Sequence, residues 1–83
     1  MLFGRKSALE KVAAFLVDMA ERLSGGSFDL PMCRADIADY LGLTIETVSR
    51  TLTRLERDRI IVLPAGRRTI VLRDAARLRH LAA

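Results

Sequence analysis

A mainly helical domain carrying one small β-hairpin is what this sequence predicts, and three observations predict it. Apolar residues recur at helical spacing over several separate stretches. Gly42 and Thr44, with only Leu43 between them, separate the second stretch from the third, so two helices meet in a tight turn. Beyond the third stretch the pattern changes to β-rich runs, "IIVL" and "TIVL", on either side of "PAGRR".

The first helix is predicted over residues 7–23. Ser7 and Glu10 have the S-x-x-E spacing of a capping box, in which each side chain satisfies the other residue's backbone N–H. Behind them Leu9, Val12, Ala13, Leu16, Met19, Ala20 and Leu23 fall on one helical face. "SGG" ends this helix. The following "SFDLPM" is short and extended, and Pro31, which has no N–H to give to a ladder, excludes a central strand.

The helix-turn-helix is predicted over residues 33–58. Its first helix runs from near Cys33 to Leu41, with Ile37, Ala38 and Leu41 inward. Gly42 ends it, because glycine takes positive φ at no steric cost. Thr44 is the N-cap of the next helix, and Glu46 in its first turn suits the positive end of the helix dipole. That helix buries Val48, Leu52 and Leu55. The hairpin is predicted over residues 60–72 with turn residues at its tip. Asp74 then caps a short helix over residues 74–82. The chain reads as one domain, residues 1–83, in the order helix, helix–tight turn–helix, hairpin, helix. This is a winged helix-turn-helix, with the hairpin as the wing.

The chain has 83 residues, about half of them apolar, enough for one compact core. It has no run of about 18 apolar residues that could span a membrane. The start, "MLFGRKSALEK", has too short an apolar stretch for a signal peptide. A single cysteine excludes an internal disulfide and fits a reducing cytoplasm. One histidine and one cysteine cannot build a metal site within one chain, and no cofactor is expected. No nucleophile–base set, paired carboxylates with a pocket, or phosphate-cradling glycine loop is present, so an enzyme is not expected.

The net charge of +4 is unevenly placed. Residues 1–43 carry five Lys/Arg against six Asp/Glu, whereas residues 44–83 carry nine arginines against Glu46, Glu56, Asp58 and Asp74. Arginine offers a planar fork suited to phosphates and to guanine edges.

The segment "RADIADYLGLTIETVSRTLT" has the 20-residue length of a DNA-binding helix-turn-helix. Ala38 is small where the helices approach, Gly42 makes the turn, and Ile37, Leu41, Leu43 and Val48 plug the joint. In this motif the second helix enters the major groove with its N-terminal residues towards base edges. Here those residues are Ile45, Glu46, Ser49 and Arg50. Arg50 can grip guanine with two hydrogen bonds, Glu46 can accept from a cytosine or adenine amino group, and Ser49 can bond to several edges. Glu46 can also hold Arg50 by an i, i+4 pair. Ile45 can pack on a thymine methyl or edge the core. Arg34, at a helix N-terminus that favours anions, and Thr44, Thr47, Arg67 and Arg68 are candidate phosphate contacts.

The stretch "LPMCRADIADYLGLTIETVSRTLTRLERDRII" resembles the DNA-binding domain of the CRP/FNR transcription regulators, specifically the FixK-like branch. The likeness covers nearly the whole chain, and "RKSALEKVAAFLVDMAERL" resembles the helix linking sensor to reader. The E-x-x-S-R spacing of Glu46, Ser49 and Arg50 matches FNR and FixK members, which recognise dyads containing TTGA and TCAA. The resemblance implies that Glu46 and Arg50 read the G·C pair of each half-site. It implies that Ser49 favours FNR-type over CRP-type sites, since CRP has glycine at that step. It further implies a bacterial, cytoplasmic regulator with double-stranded DNA and RNA polymerase as partners, homodimeric at full length. The family's sensor β-roll and long dimerisation helix have no counterpart in these residues, so Met1 is expected to be either internal to a longer chain or the start of a truncated one, with this stretch monomeric by itself. FNR's iron–sulfur cysteines are absent from the segment too, as the resemblance to FixK-like members implies. Arg59 departs from the family in standing where a glycine often follows the aspartate, which is expected to strain the helix end or add a phosphate contact.

Cys33 stands where a Ser or Thr cap is expected, beside Arg34. A helix N-terminus and a neighbouring cation favour oxidation of a thiol, making it a candidate redox-sensitive residue; the plainer reading is an inert, poor cap. Tyr40 is expected to pack with its hydroxyl at the surface, and His80 to be solvated. The alternative reading of the whole chain is a protein-interaction winged helix with only non-specific affinity for DNA.

Overall fold

The computed structural model describes residues 7–23, 26–64 and 69–82. Four helices and three short strands follow in the order α1 (Ala8–Leu23), β1 (Ser27–Asp29), α2 (Arg34–Leu41), α3 (Ile45–Arg57), β2 (Ile61–Val62), β3 (Thr69–Leu72) and α4 (Ala75–Ala82). The winged helix-turn-helix architecture is as expected.

The capping box at the start of α1 forms reciprocally. The Ser7 N–H donates to Glu10 Oε1 at 2.8 Å, and the Glu10 N–H donates to Ser7 Oγ at 3.1 Å. Burial on α1 centres on Val12, Ala13, Phe15 and Leu16. Leu9, Met19 and Ala20 pack on this core from partly buried positions. Two details correct the sequence reading. Phe15 joins the core although the expected stripe omitted it, and Leu23 is 49% exposed although the stripe included it. The fully buried positions of α1 end at Leu16, and beyond it Val17, Met19 and Ala20 pack on the core from partly buried positions.

α1 lies mainly against α4, which contributes Leu78 to the core. It also meets the helix-turn-helix, where Lys11 Nζ donates to the Leu41 carbonyl at 3.3 Å. That carbonyl belongs to the last turn of α2, where a cation is favoured by the helix dipole. Asp74 caps α4 as expected, accepting from the Arg77 N–H at 3.1 Å.

Instead of a bare two-stranded hairpin, the sheet has three strands. Its order is β1-β3-β2, both pairings antiparallel. β1 pairs Ser27 with Val71, Phe28 with Ile70 and Asp29 with Thr69. Phe28 and Ile70 are both buried, and Thr69 Oγ1 donates to Asp29 Oδ1 at 2.6 Å. The extended segment therefore becomes a strand, but at the edge, where Pro31 just beyond it costs no ladder bond. At the other side Ile60 is drawn out of the predicted strand into the turn that ends α3. Glu56 Oε2 ties α3 to the wing by accepting from the Leu63 N–H at 3.0 Å.

Both helices of the helix-turn-helix end in the same left-handed turn. After α2, Gly42 has φ 71°, and the N–H groups of Gly42 and Leu43 return to the carbonyls of Asp39 and Ala38. After α3, Arg59 has φ 61°, and the N–H groups of Arg59 and Ile60 return to Glu56 and Leu55. This double bond pattern satisfies the last carbonyls of a helix. At Arg59 it does so on a residue with a Cβ, which is the strain that the sequence suggests.

Candidate nucleic-acid interface

α3 starts at Thr44, whose extended backbone (φ −90°, ψ 160°) and side chain cap it. Thr44 Oγ1 accepts from the Thr47 N–H at 3.1 Å and donates to Thr47 Oγ1 at 2.9 Å. The Thr44 hydroxyl hydrogen is therefore committed, whereas the half-buried Thr47 hydroxyl keeps its own to donate. One turn on, Thr51 is buried and its hydroxyl donates to the Thr47 carbonyl at 2.7 Å. The inward stripe of α3 is Val48, Thr51, Leu52 and Leu55.

The opposite face of α3 points to solvent. Glu46 and Arg50 are exposed, Ser49 is half-buried beside them, and Ile45 is 51% exposed. The geometry thus brings Ile45, Glu46, Ser49 and Arg50 together on the outward side of the first two turns. The expected Glu46–Arg50 ion pair does not form. The ion pairs among the described residues are Asp18–Arg22 and Arg54–Asp58, at 3.0 and 3.9 Å. Two solvated side chains gain little from pairing and lose rotamer freedom by it. Both heads stay available.

α2 begins beside the sheet, where Cys33 and Arg34 line one cleft with Leu63, Thr69 and Ile70. Cys33 is its N-cap in extended backbone, but the thiol makes no capping hydrogen bond and is exposed. The first free amides of α2 are left without a side-chain partner, next to the exposed Arg34. Free amides and a guanidinium together suit an anion. Arg67 and Arg68, the other expected phosphate contacts, lie outside the described residues. Tyr40 pairs its ring with Phe15 at 6.0 Å between centroids and is 73% exposed, a more open position than a packing residue would take. His80 is exposed as expected.

A family model described as the Crp-like helix-turn-helix domain matches residues 10–81. The chain belongs to the Crp-like helix-turn-helix family. Among curated relatives, the nitrogen fixation regulation protein FixK of Bradyrhizobium diazoefficiens is 56% identical over 88 residues, covering 100% of this chain and 36% of that protein. The transcriptional activatory protein AadR of Rhodopseudomonas palustris is also 56% identical, over 89 residues, with 100% and 36% covered. The solved structure of FixK2 from Bradyrhizobium japonicum superposes with a TM-score of 0.89 at 53% identity, over 99% of this chain and 41% of that one. The chain thus spans little more than a third of the length of these relatives. This Crp-like domain is the DNA-binding domain type of FixK- and FNR-like transcription regulators, not an enzyme. Among the described residues no helix is long and apolar enough to cross a membrane, and no three His, Cys, Asp or Glu side chains cluster to hold a metal.

The helix-turn-helix motif by itself marks the outward face of this Crp-like α3 only as far as Arg50. In the structure the face continues through Thr53 to Arg57, both exposed. The i, i+4, i+7, i+11 spacing from Glu46 carries that signal.

Proposed function

We propose that this domain binds duplex DNA sequence-specifically, with α3 in the major groove and a preference for dyads of the TTGA-N6-TCAA type. Glu46 and Arg50 contact the G·C pair of each half-site, Ser49 and Ile45 contact neighbouring edges, and Arg34, Thr47, Arg67 and Arg68 hold phosphates, while Thr44, expected among them, gives its hydroxyl hydrogen to Thr47 and so orients that hydroxyl towards the DNA backbone. The observation that carries this reading is the outward face of α3. Two opposite charges stand there one turn apart, exposed and with no partner among the described residues. Side chains kept free of each other can present a bidentate donor and an acceptor to base edges. In the longer protein the domain acts in the cytoplasm as part of a homodimer that works with RNA polymerase, as palindromic sites require two readers.

Fluorescence anisotropy tests the reading, with a labelled duplex bearing TTGA-N6-TCAA compared with a scrambled one at fixed salt. The wild-type domain prefers the dyad, and Arg50→Ala and Glu46→Ala each lose about 1–3 kcal/mol of that preference. Equal binding of both duplexes by the wild type, unchanged by Arg50→Ala, would favour a protein-interaction module on a basic scaffold.

A further inference from the structure

Glu46, Arg50, Thr53 and Arg57 form one straight stripe along α3, opposite the buried stripe of Val48, Leu52 and Leu55. At 100° per residue, positions 46 and 57 point in nearly the same direction. Arg57 lies eleven residues beyond Glu46, roughly 16 Å along the axis at 1.5 Å per residue. The major groove is about 12 Å wide. A helix that enters the groove by its N-terminal turns, with Glu46 and Arg50 on base edges and its axis inclined to the groove, places Arg57, more than a groove width farther along, at the flanking phosphates.

The state of the side chain fits that place. Arg54, the next arginine on α3, reaches towards Asp58, with Nε 3.9 Å from Oδ2. Arg77 donates through Nη1 to the Asp58 carbonyl at 3.2 Å. Arg57 is exposed, and no ion pair or hydrogen bond engages its guanidinium among the described residues. Nearby carboxylates are otherwise occupied: Asp58 faces Arg54, and Glu56 accepts from the wing backbone.

We propose that Arg57 is a phosphate-contacting positioning residue, so that α3 engages DNA along its whole length, reading bases at its first turns and gripping the strand backbone at its last. The proposal rests on the major-groove placement of α3 given above. Arg57 holds the end of α3 to the strand backbone on any sequence, without itself distinguishing sequences, since phosphate contacts carry no base identity.

The test is a salt titration of the 83-residue protein on the dyad and scrambled duplexes, with wild type, Arg57→Gln and Arg57→Lys. Losing one phosphate contact makes the slope of log affinity against log salt shallower by about 0.9, roughly an eightfold weakening at 0.1 M salt. For Arg57→Gln that change is expected on both duplexes equally, so the dyad-to-scrambled ratio stays at the wild-type value. Arg57→Lys keeps the positive charge and is expected to keep most of the slope. An Arg57→Gln slope equal to wild type would overturn the proposal, leaving Arg57 as a partner of the helix dipole. A changed ratio would overturn it too, by placing Arg57 on a base. If wild type shows no dyad preference, base reading fails, while the slope still reports separately on Arg57.

Discussion

Gly42 and Arg59 occupy equivalent left-handed turns at the ends of α2 and α3, and only glycine adopts that backbone freely. A Cβ at Gly42 would meet no atom within 4 Å, so the backbone angle alone disfavours other residues there. Gly42→Ala should cost about 1–2 kcal/mol, the penalty of placing an L-residue in left-handed backbone. Arg59→Gly should stabilise by about 1 kcal/mol, less than the strain relieved because glycine also loosens the unfolded chain. Urea unfolding checks both, and unchanged midpoints would contradict the shared turn. Cys33 is a third residue with a local mismatch. Its backbone is set as an N-cap but its side chain caps nothing. Cys33→Ser supplies a hydroxyl for the free amides of α2, and a rise in stability of about 0.5–1 kcal/mol is expected in the same assay.

At the scale of the element, α3 has to be rigid to hold one stripe inward and another outward. Thr44 fixes its first turn, and Leu55, fully buried, fixes its last. Thr44→Val should cost about 1 kcal/mol by leaving the Thr47 N–H uncapped, whereas Thr44→Ser should cost little. Leu55→Ala should cost about 3 kcal/mol through lost burial and a cavity. Domains of this kind hold only about 5–15 kcal/mol in total, so the loss should be plain in a thermal melt. A cost well under 1 kcal/mol would mean that the end of α3 collapses around the gap. The sheet is a weaker element, with two- to four-residue strands, and Glu56 couples it to α3 through the Leu63 N–H.

Across the whole molecule, charge and fold are arranged together. Among the arginines of residues 44–83, Arg50, Arg54 and Arg57 lie on α3 and Arg77 and Arg79 on α4, while residues 1–43 carry a slight acidic excess. If four or so cations meet phosphates in each protomer, log affinity should fall with log salt at a slope of about −4, on scrambled as well as dyad DNA. A slope near zero would contradict an electrostatic footing for binding. The sequence by itself determined the helices, the Thr44 cap of α3, the Gly42 turn and the Glu46–Ser49–Arg50 face. These are local features, set by spacings of three and four residues and by the φ preferences of single residues, so a short window contains them. Tertiary structure alone decided that Ser27–Asp29 joins Thr69–Leu72 as a third strand, that α1 rests on α4, and that Phe15 is inside while Leu23 is out. Each of those outcomes depends on which apolar surface or open strand edge the rest of the chain brings near. That competition is settled by burial and by pairing of distant backbone groups, which no stretch of neighbouring residues records.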